Sequence, residues 1–178
     1  MIDYITPQFR KFEQIDDLLS NDSKRLSVFE EDEYISIDNL LSEGFVCIVG
    51  EPGIGKSRLV DELKKSVSQK TYSCTASHFK IESIPEEVEY CFIDALDEVE
   101  HAQFYSTLSS IKQYKESCQE VKVFFSCRKH YVASYDKHFG GINSLVYVEL
   151  CKLNSKDVCR IVDECSEITN AAKSSRKN

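Results

Sequence analysis

Short apolar runs recur along this chain, and stripes of apolar residues at helical spacing lie between them. Phe45-Val46-Cys47-Ile48-Val49, Tyr90-Cys91-Phe92-Ile93, Val121-Lys122-Val123-Phe124-Phe125 and the run from Leu145 to Leu150 each predict a strand. Near-continuous apolarity is what a strand buried on both faces requires. Thr71 to Ser77 alternates β-forming residues and predicts another strand. Between the runs, Arg58 to about Ser68 carries apolar residues every three or four positions, as do Phe104, Leu108, Ile111 and Cys118, and later Val158, Ile161, Val162, Cys165 and Ile168. Those spacings predict helices. Strand and helix in alternation imply βαβ units and a mostly parallel sheet, with right-handed crossovers placing helices on both faces. The expected fold class is therefore α/β, a three-layer sandwich built on five strands.

The ends read differently. Thr6-Pro7 resembles an N-cap with a first-turn proline, and Phe9, Phe12, Ile15, Leu18 and Leu19 predict a helix to about Ser20, ended by Asn21-Asp22-Ser23. Glu30-Glu31-Asp32-Glu33 reads as a solvated loop, and Tyr34 to Leu41 as a short helix before the turn Ser42-Glu43-Gly44. Ile84-Pro85-Glu86-Glu87 is a turn, which leaves little room for a long helix before the third strand. Asn154-Ser155-Lys156-Asp157 resembles a capping box opening the last helix. The expected division is a helical arm over 1–43, a core over 44–168 and a fraying polar tail over 169–178.

Composition narrows the function classes. The chain has 178 residues, enough to bury a core in one domain, and 42% of them are hydrophobic. A formal net charge of −8 argues against a surface docked broadly on nucleic acid. No apolar run approaches a membrane span and Met1-Ile2-Asp3-Tyr4 does not begin a signal peptide, so a cytoplasmic location is expected. Eight cysteines are scattered without a C-x-x-C pair, which predicts free thiols packed as small hydrophobes rather than a disulfide framework or a zinc site. The four histidines are expected on the surface or in loops.

Chemistry concentrates where the first strand ends. Gly50-Glu51-Pro52-Gly53-Ile54-Gly55-Lys56-Ser57 reads G-x-x-x-x-G-K-S, a phosphate-binding loop, and a helical stripe opens at Arg58. Strand, glycine loop and helix form the context that this motif needs. Glycines let successive N–H groups turn inward on phosphate oxygens, and a helix N-terminus favours an anion. Lys56 is expected to reach the β- and γ-phosphates and Ser57 to ligate Mg²⁺. The third strand ends in Asp94, expected to hold Mg²⁺, with Asp97 and Glu98 just beyond, within reach of a water at the γ-phosphate. The plainer reading is that Asp97 and Glu98 simply open the next helix, where acids suit the dipole. The fourth strand ends in Ser126-Cys127-Arg128. Ligands of open α/β sheets bind at the carboxyl ends of the strands. The loop, Asp94 and Arg128 should therefore meet at one edge.

Asp94-Ala95-Leu96-Asp97-Glu98 resembles the Walker B signature of NACHT-type NTPases in the STAND class of signalling ATPases, with a small residue after the magnesium aspartate and a distal acidic pair. AAA+ proteins instead place the water-activating Glu directly after that aspartate, where this chain has Ala95. Phe124-Phe125-Ser126-Cys127-Arg128 is similar to the STAND sensor 1, although Cys127 and Lys129 depart from the usual Thr-Ser-Arg-Pro. The resemblance runs from about Glu43 to Ile168. It implies the sheet order 5-1-4-3-2, a preference for ATP, a γ-phosphate contact from Arg128 and a nucleotide-dependent switch in bacterial or antiviral defence signalling. It also implies a protein partner or self-association. STAND proteins normally continue into helical and winged-helix regions, so this chain reads as a compact or truncated relative, or as one completed by a partner. With no second arginine evident, hydrolysis is expected to be slow in isolation. A non-hydrolysing nucleotide-binding module and an AAA+-like remodelling ATPase are the alternatives. A small-molecule kinase shares the loop, but no substrate or lid segment stands out.

Overall fold

A computed structural model describes residues 9–24, 35–67 and 70–151. Its centre is a six-stranded sheet: β1 (Phe9–Phe12), β2 (Phe45–Val49), β3 (Thr71–Thr75), β4 (Tyr90–Asp94), β5 (Lys122–Cys127) and β6 (Val146–Leu150), in the order β1-β6-β2-β5-β4-β3. The strands from β2 to β6 pair in parallel, and β1 runs antiparallel along β6, with Phe9 opposite Leu150 and Phe12 opposite Tyr147. The expected sheet of five strands in the order 5-1-4-3-2 is thereby corrected to six. The added strand lies at the outer edge, beside β6.

The added strand replaces the first part of an expected helix. Phe9 and Phe12 fit an i, i+3 helical stripe, and a strand puts them on opposite faces. In β1 they point to opposite faces, Phe9 into the layer under α3 (Lys56–Ser66) and Phe12 toward the layer under α4 (His101–Ser117). Each finds an apolar partner that a lone helix could not offer both, so tertiary pairing overrides the local pattern. Lys11 anchors the strand through an ion pair to Glu43 at 2.6 Å. The helix that remains, α1, spans Ile15–Lys24 and buries Leu18.

Strand alternation divides the core into two layers. Val46, Ile48, Phe92, Phe124 and Val148 pack on Leu59, Val60 and Leu63 of α3 and on Leu40 of α2 (Ile37–Ser42), which Ser36 caps through its side chain. Cys47, Val49, Cys91, Ile93, Val123 and Phe125 face the other way, onto Phe104, Leu108 and Ile111 of α4. Two short helices, α5 (Lys129–Ser134) and α6 (Asp136–Phe139), absent from the sequence-based expectation, add Val132 and Phe139 to this second layer. All of β2 is buried, whereas edge strand β3 alternates exposed and half-buried positions.

Other boundaries shift by a residue or two. The expected strand from Thr71 to Ser77 stops at Thr75 and turns through a 3-10 segment at Ala76–His78. A second such turn at Ile81–Ser83 completes the connection to β4, with no long helix. The six described cysteines, Cys47, Cys74, Cys91, Cys118, Cys127 and Cys151, are free thiols. His78, His101, His130 and His138 are exposed. The Thr6-Pro7 cap, the acidic run at 30–33, the capping box at 154–157, the last helix and the tail lie outside the described residues. Among the described residues no helix is long and apolar enough to cross a membrane.

Candidate functional site: a cleft at the carboxyl edge of the sheet

The loop between β2 and α3 takes its shape from glycine. Gly53 and Gly55 have φ of 75° and 105°, and Gly55 is the N-cap of α3. L-residues rarely adopt such angles, because Cβ meets the neighbouring carbonyl. At Gly50 the constraint is space: a Cβ would lie 2.8 Å from Ile54 Cγ2. The loop is thus a backbone cradle that side chains would fill or break. Across it, Lys56 Nζ donates to the carbonyl oxygens of Gly50 at 2.9 Å and Glu51 at 3.1 Å. These contacts hold the ammonium over the cradle, at the first residue of α3.

Side chains from β4 and β5 build the opposite wall. Asp94 ends β4, and Ser126 lies one register step past the Ile93–Phe125 pair. The Ser126 hydroxyl donates a short hydrogen bond to Asp94 Oδ1 and accepts the Ala95 N–H at 2.8 Å. The same N–H reaches Asp94 Oδ1 at 3.0 Å. Both contacts to Asp94 use one carboxylate oxygen, which fixes the rotamer without consuming the group. Ala95 has φ of 60° and ψ of 52°, a left-handed conformation that costs a non-glycine residue about 1–2 kcal/mol. That turn directs the chain into the 3-10 segment Leu96–Glu98 and brings Asp97 back beneath β5.

There Asp97 meets Arg128. Asp97 Oδ1 accepts the Arg128 backbone N–H at 3.0 Å, and Oδ2 lies 2.7 Å from Arg128 Nε. The Asp97 side chain is 3% exposed, whereas that of Glu98 is 68% exposed and 4.0 Å from Arg128 Nη2. Next along the chain, Lys129 forms a buried ion pair with Glu149 of β6 at 2.9 Å. This pair ties the start of α5 to β6 behind the wall.

The two halves enclose a cleft of about 250 Å³. Its lining includes Pro52, Gly53, Gly55, Lys56, Ser57 and Arg58 from the loop and Asp94, Asp97, Glu98 and Arg128 from the wall. The convergence expected of loop, Asp94 and Arg128 is therefore present. Gly50, Glu51 and Ile54 support the loop through the contacts above and below it, not as lining residues. Arg58, expected from the sequence to bind the nucleotide together with the loop, also lines the cleft. The sequence reading treated Ser126 only as a generic polar position. The available signal was a hydroxyl placed directly after two phenylalanines in a buried strand.

The donor set suits a magnesium nucleotide. A glycine cradle, a helix N-terminus, Lys56 and the Arg128 guanidinium can take phosphate oxygens. The Ser57 hydroxyl and Asp94 carboxylate are hard oxygen ligands of the kind Mg²⁺ takes alongside substrate phosphates. Among the described residues no cluster of three or more His, Cys, Asp or Glu could hold a metal. A Mg²⁺ on Ser57 and Asp94 would take its remaining oxygens from substrate phosphates and water.

No family model and no curated protein matches the chain. Solved structures do match. The Hsp104–ADP complex of S. cerevisiae superposes with a TM-score of 0.50 at 14% identity, covering 86% of this chain and 26% of that one. The Thermotoga maritima RuvB Holliday junction branch migration motor has a TM-score of 0.48 at 14% identity, over 89% of this chain and 54% of RuvB. A closed state of Hsp104 with ATPγS and casein has a TM-score of 0.48 at 14% identity, over 86% and 32%. The chain thus spans about half or less of each of these P-loop AAA+ ATPases. At this identity the likeness concerns the fold alone, and the fold is that of a P-loop NTPase.

Proposed function

We propose that this chain is an ATP-binding, Mg²⁺-dependent P-loop NTPase that acts as a nucleotide-dependent signalling switch of the STAND, NACHT-like kind. The observation that carries the reading is the meeting of Lys56, Ser57, Asp94 and Arg128 in one cleft. Residues 44–168 form its nucleotide-binding unit, with β1 of the arm stitched to its edge.

Each side chain then has a task. The loop N–H groups and Lys56 bind the phosphates. Ser57 and Asp94 would hold Mg²⁺, which would supply charge neutralisation at the phosphates. Arg128 meets the γ-phosphate and so separates ATP from ADP. A carboxylate of the Asp97–Glu98 pair orients the attacking water. The small residue Ala95 after Asp94, and the acid pair two residues further on, support the NACHT-like assignment. Turnover is slow in isolation, and a protein partner or self-association completes the switch. Defence signalling is the setting that the family resemblance supports.

The likeness to Hsp104 favours a second reading, an AAA+-like remodelling ATPase. Ala95 counts against it, since no carboxylate directly follows Asp94. ATP binding and hydrolysis with Mg²⁺, wild type beside Lys56→Ala, test the proposal. Binding with slow turnover, both lost in the variant, is expected. Equal affinity in the two proteins would reject the phosphate-loop assignment. Binding with no turnover at all would leave a nucleotide-binding module.

A further inference from the structure

We infer that Asp97 is a positioning residue that aims Arg128 at the terminal phosphate, and that Glu98 alone of the acid pair is placed to handle water. The inference rests on the nucleotide reading above and divides a task which that reading leaves to the pair.

The two carboxylates differ in what they already do. Both oxygens of Asp97 are engaged with Arg128, one at the backbone N–H and one at Nε, at 3.0 and 2.7 Å. With its side chain 3% exposed, Asp97 cannot turn to a water without stripping two charge-assisted contacts from a buried carboxylate. Glu98 is exposed, lines the same cleft, and touches Arg128 only at the 4.0 Å limit of an ion pair.

The geometry also explains why Arg128 needs such a partner. A guanidinium is a planar fork with donors on Nε and both Nη atoms. Asp97 takes Nε and grips the backbone at the same residue, so it sets both the origin and the plane of the fork. The Nη groups are then the donors that a phosphate can share. The grip exists because Ala95 turns through the left-handed region and returns Asp97 beneath β5. Orientation is therefore supplied before the phosphate arrives, which lowers the ordering cost of binding.

Calorimetric titrations of Mg-ATP and Mg-ADP into the wild type, Asp97→Asn, Glu98→Gln, Arg128→Ala and the Asp97→Asn/Arg128→Ala double variant test this, with steady-state turnover alongside. Arg128→Ala should weaken ATP by roughly ten- to a hundred-fold and ADP little, as expected for losing a hydrogen bond to a charged group. Asp97→Asn should lose most of the same ATP-over-ADP ratio. The double variant should be within about two-fold of Arg128→Ala, because coupled residues are not additive. Glu98→Gln should keep the ratio and lose turnover. A wild-type ratio in Asp97→Asn with turnover abolished would overturn the inference and leave the nucleotide reading intact. A wild type that binds neither nucleotide would overturn both. Should Asp97→Asn melt early, Arg128→Lys carries the test: it keeps the charge, lacks Nε–H and should lose the ratio, and retention of the ratio would overturn the assignment.

Discussion

The two walls of the cleft are made by different means. The β2–α3 wall is backbone: glycines set its shape, with Lys56 tethered across it. The β4–β5 wall is side chain: Asp94 is fixed by Ser126 and Arg128 by Asp97, with the Lys129–Glu149 pair buried behind it. A backbone wall depends on which residues are missing a Cβ. A side-chain wall depends on which charges are paired, so its substitutions should propagate through partners. The comparison teaches where to expect additivity: within the loop, single residues act alone, while in the opposite wall they act in pairs.

The largest effect should come from breaking a pair. Glu149→Ala removes the carboxylate 2.9 Å from the buried Lys129 ammonium, and removing one partner of a buried pair costs about 3–5 kcal/mol. Urea denaturation of the variant measures it, and a loss under about 1 kcal/mol would mean that the wall does not depend on that pair. Lys56→Ala should weaken Mg-ATP by about a hundred-fold or more, through lost charge-assisted contacts to phosphate, with a thermal midpoint close to wild type. Such a variant separates binding from stability in the backbone wall.

A finer contrast uses the same backbone demand met by two residues. Gly55→Ala forces a Cβ into φ of 105° and should destabilise by about 1–2 kcal/mol. Ala95→Gly relieves φ of 60° on the other wall and should be neutral or stabilising by up to about 1 kcal/mol. Stability curves for both variants check the sign as well as the size.

Per group, the effect near pH 8–9 is the smallest, and it concerns the floor that the walls share. Burial raises the Cys47 thiol on β2 and the Cys91 and Cys127 thiols on β4 and β5 above their ordinary value of 9.0. Burial likewise pushes Tyr114 up to about 12. Each group is an acid with a raised native pKa. Stability is therefore constant below the unfolded values and falls as pH rises past them, where the unfolded chain has released protons that the native state keeps. Between pH 8 and 9 the loss should be a few tenths of a kcal/mol per buried thiol, and it should steepen above pH 9. Urea midpoints across pH 7–10 test it, and a midpoint that rises with pH would contradict the burial.

How much was legible beforehand follows the same division. The backbone wall is written in local sequence, because its residues are consecutive and glycine has few other reasons to recur at that spacing. The parallel strands are equally plain, since burial on both faces makes each an apolar run. The side-chain wall is only half legible. Asp94 and Arg128 declare themselves by ending strands, but Asp97 and Glu98 are adjacent acids in sequence. Only the left-handed turn at Ala95 decides that one is buried on Arg128 and the other exposed. The i, i+3 spacing of Phe9 and Phe12 reads as a helical stripe, and strand β1 appears only through its pairing with β6, more than a hundred positions away.

The most direct test of the account is a heteronuclear NMR titration of the whole chain with Mg-ADP and then a non-hydrolysable Mg-ATP analogue. The account predicts that both ligands shift the amides of Gly53, Gly55, Lys56 and Ser57, and that the Arg128 Nε–H signal moves only with the triphosphate. Shifts confined to other surfaces, or an Arg128 signal that responds equally to both ligands, would contradict it.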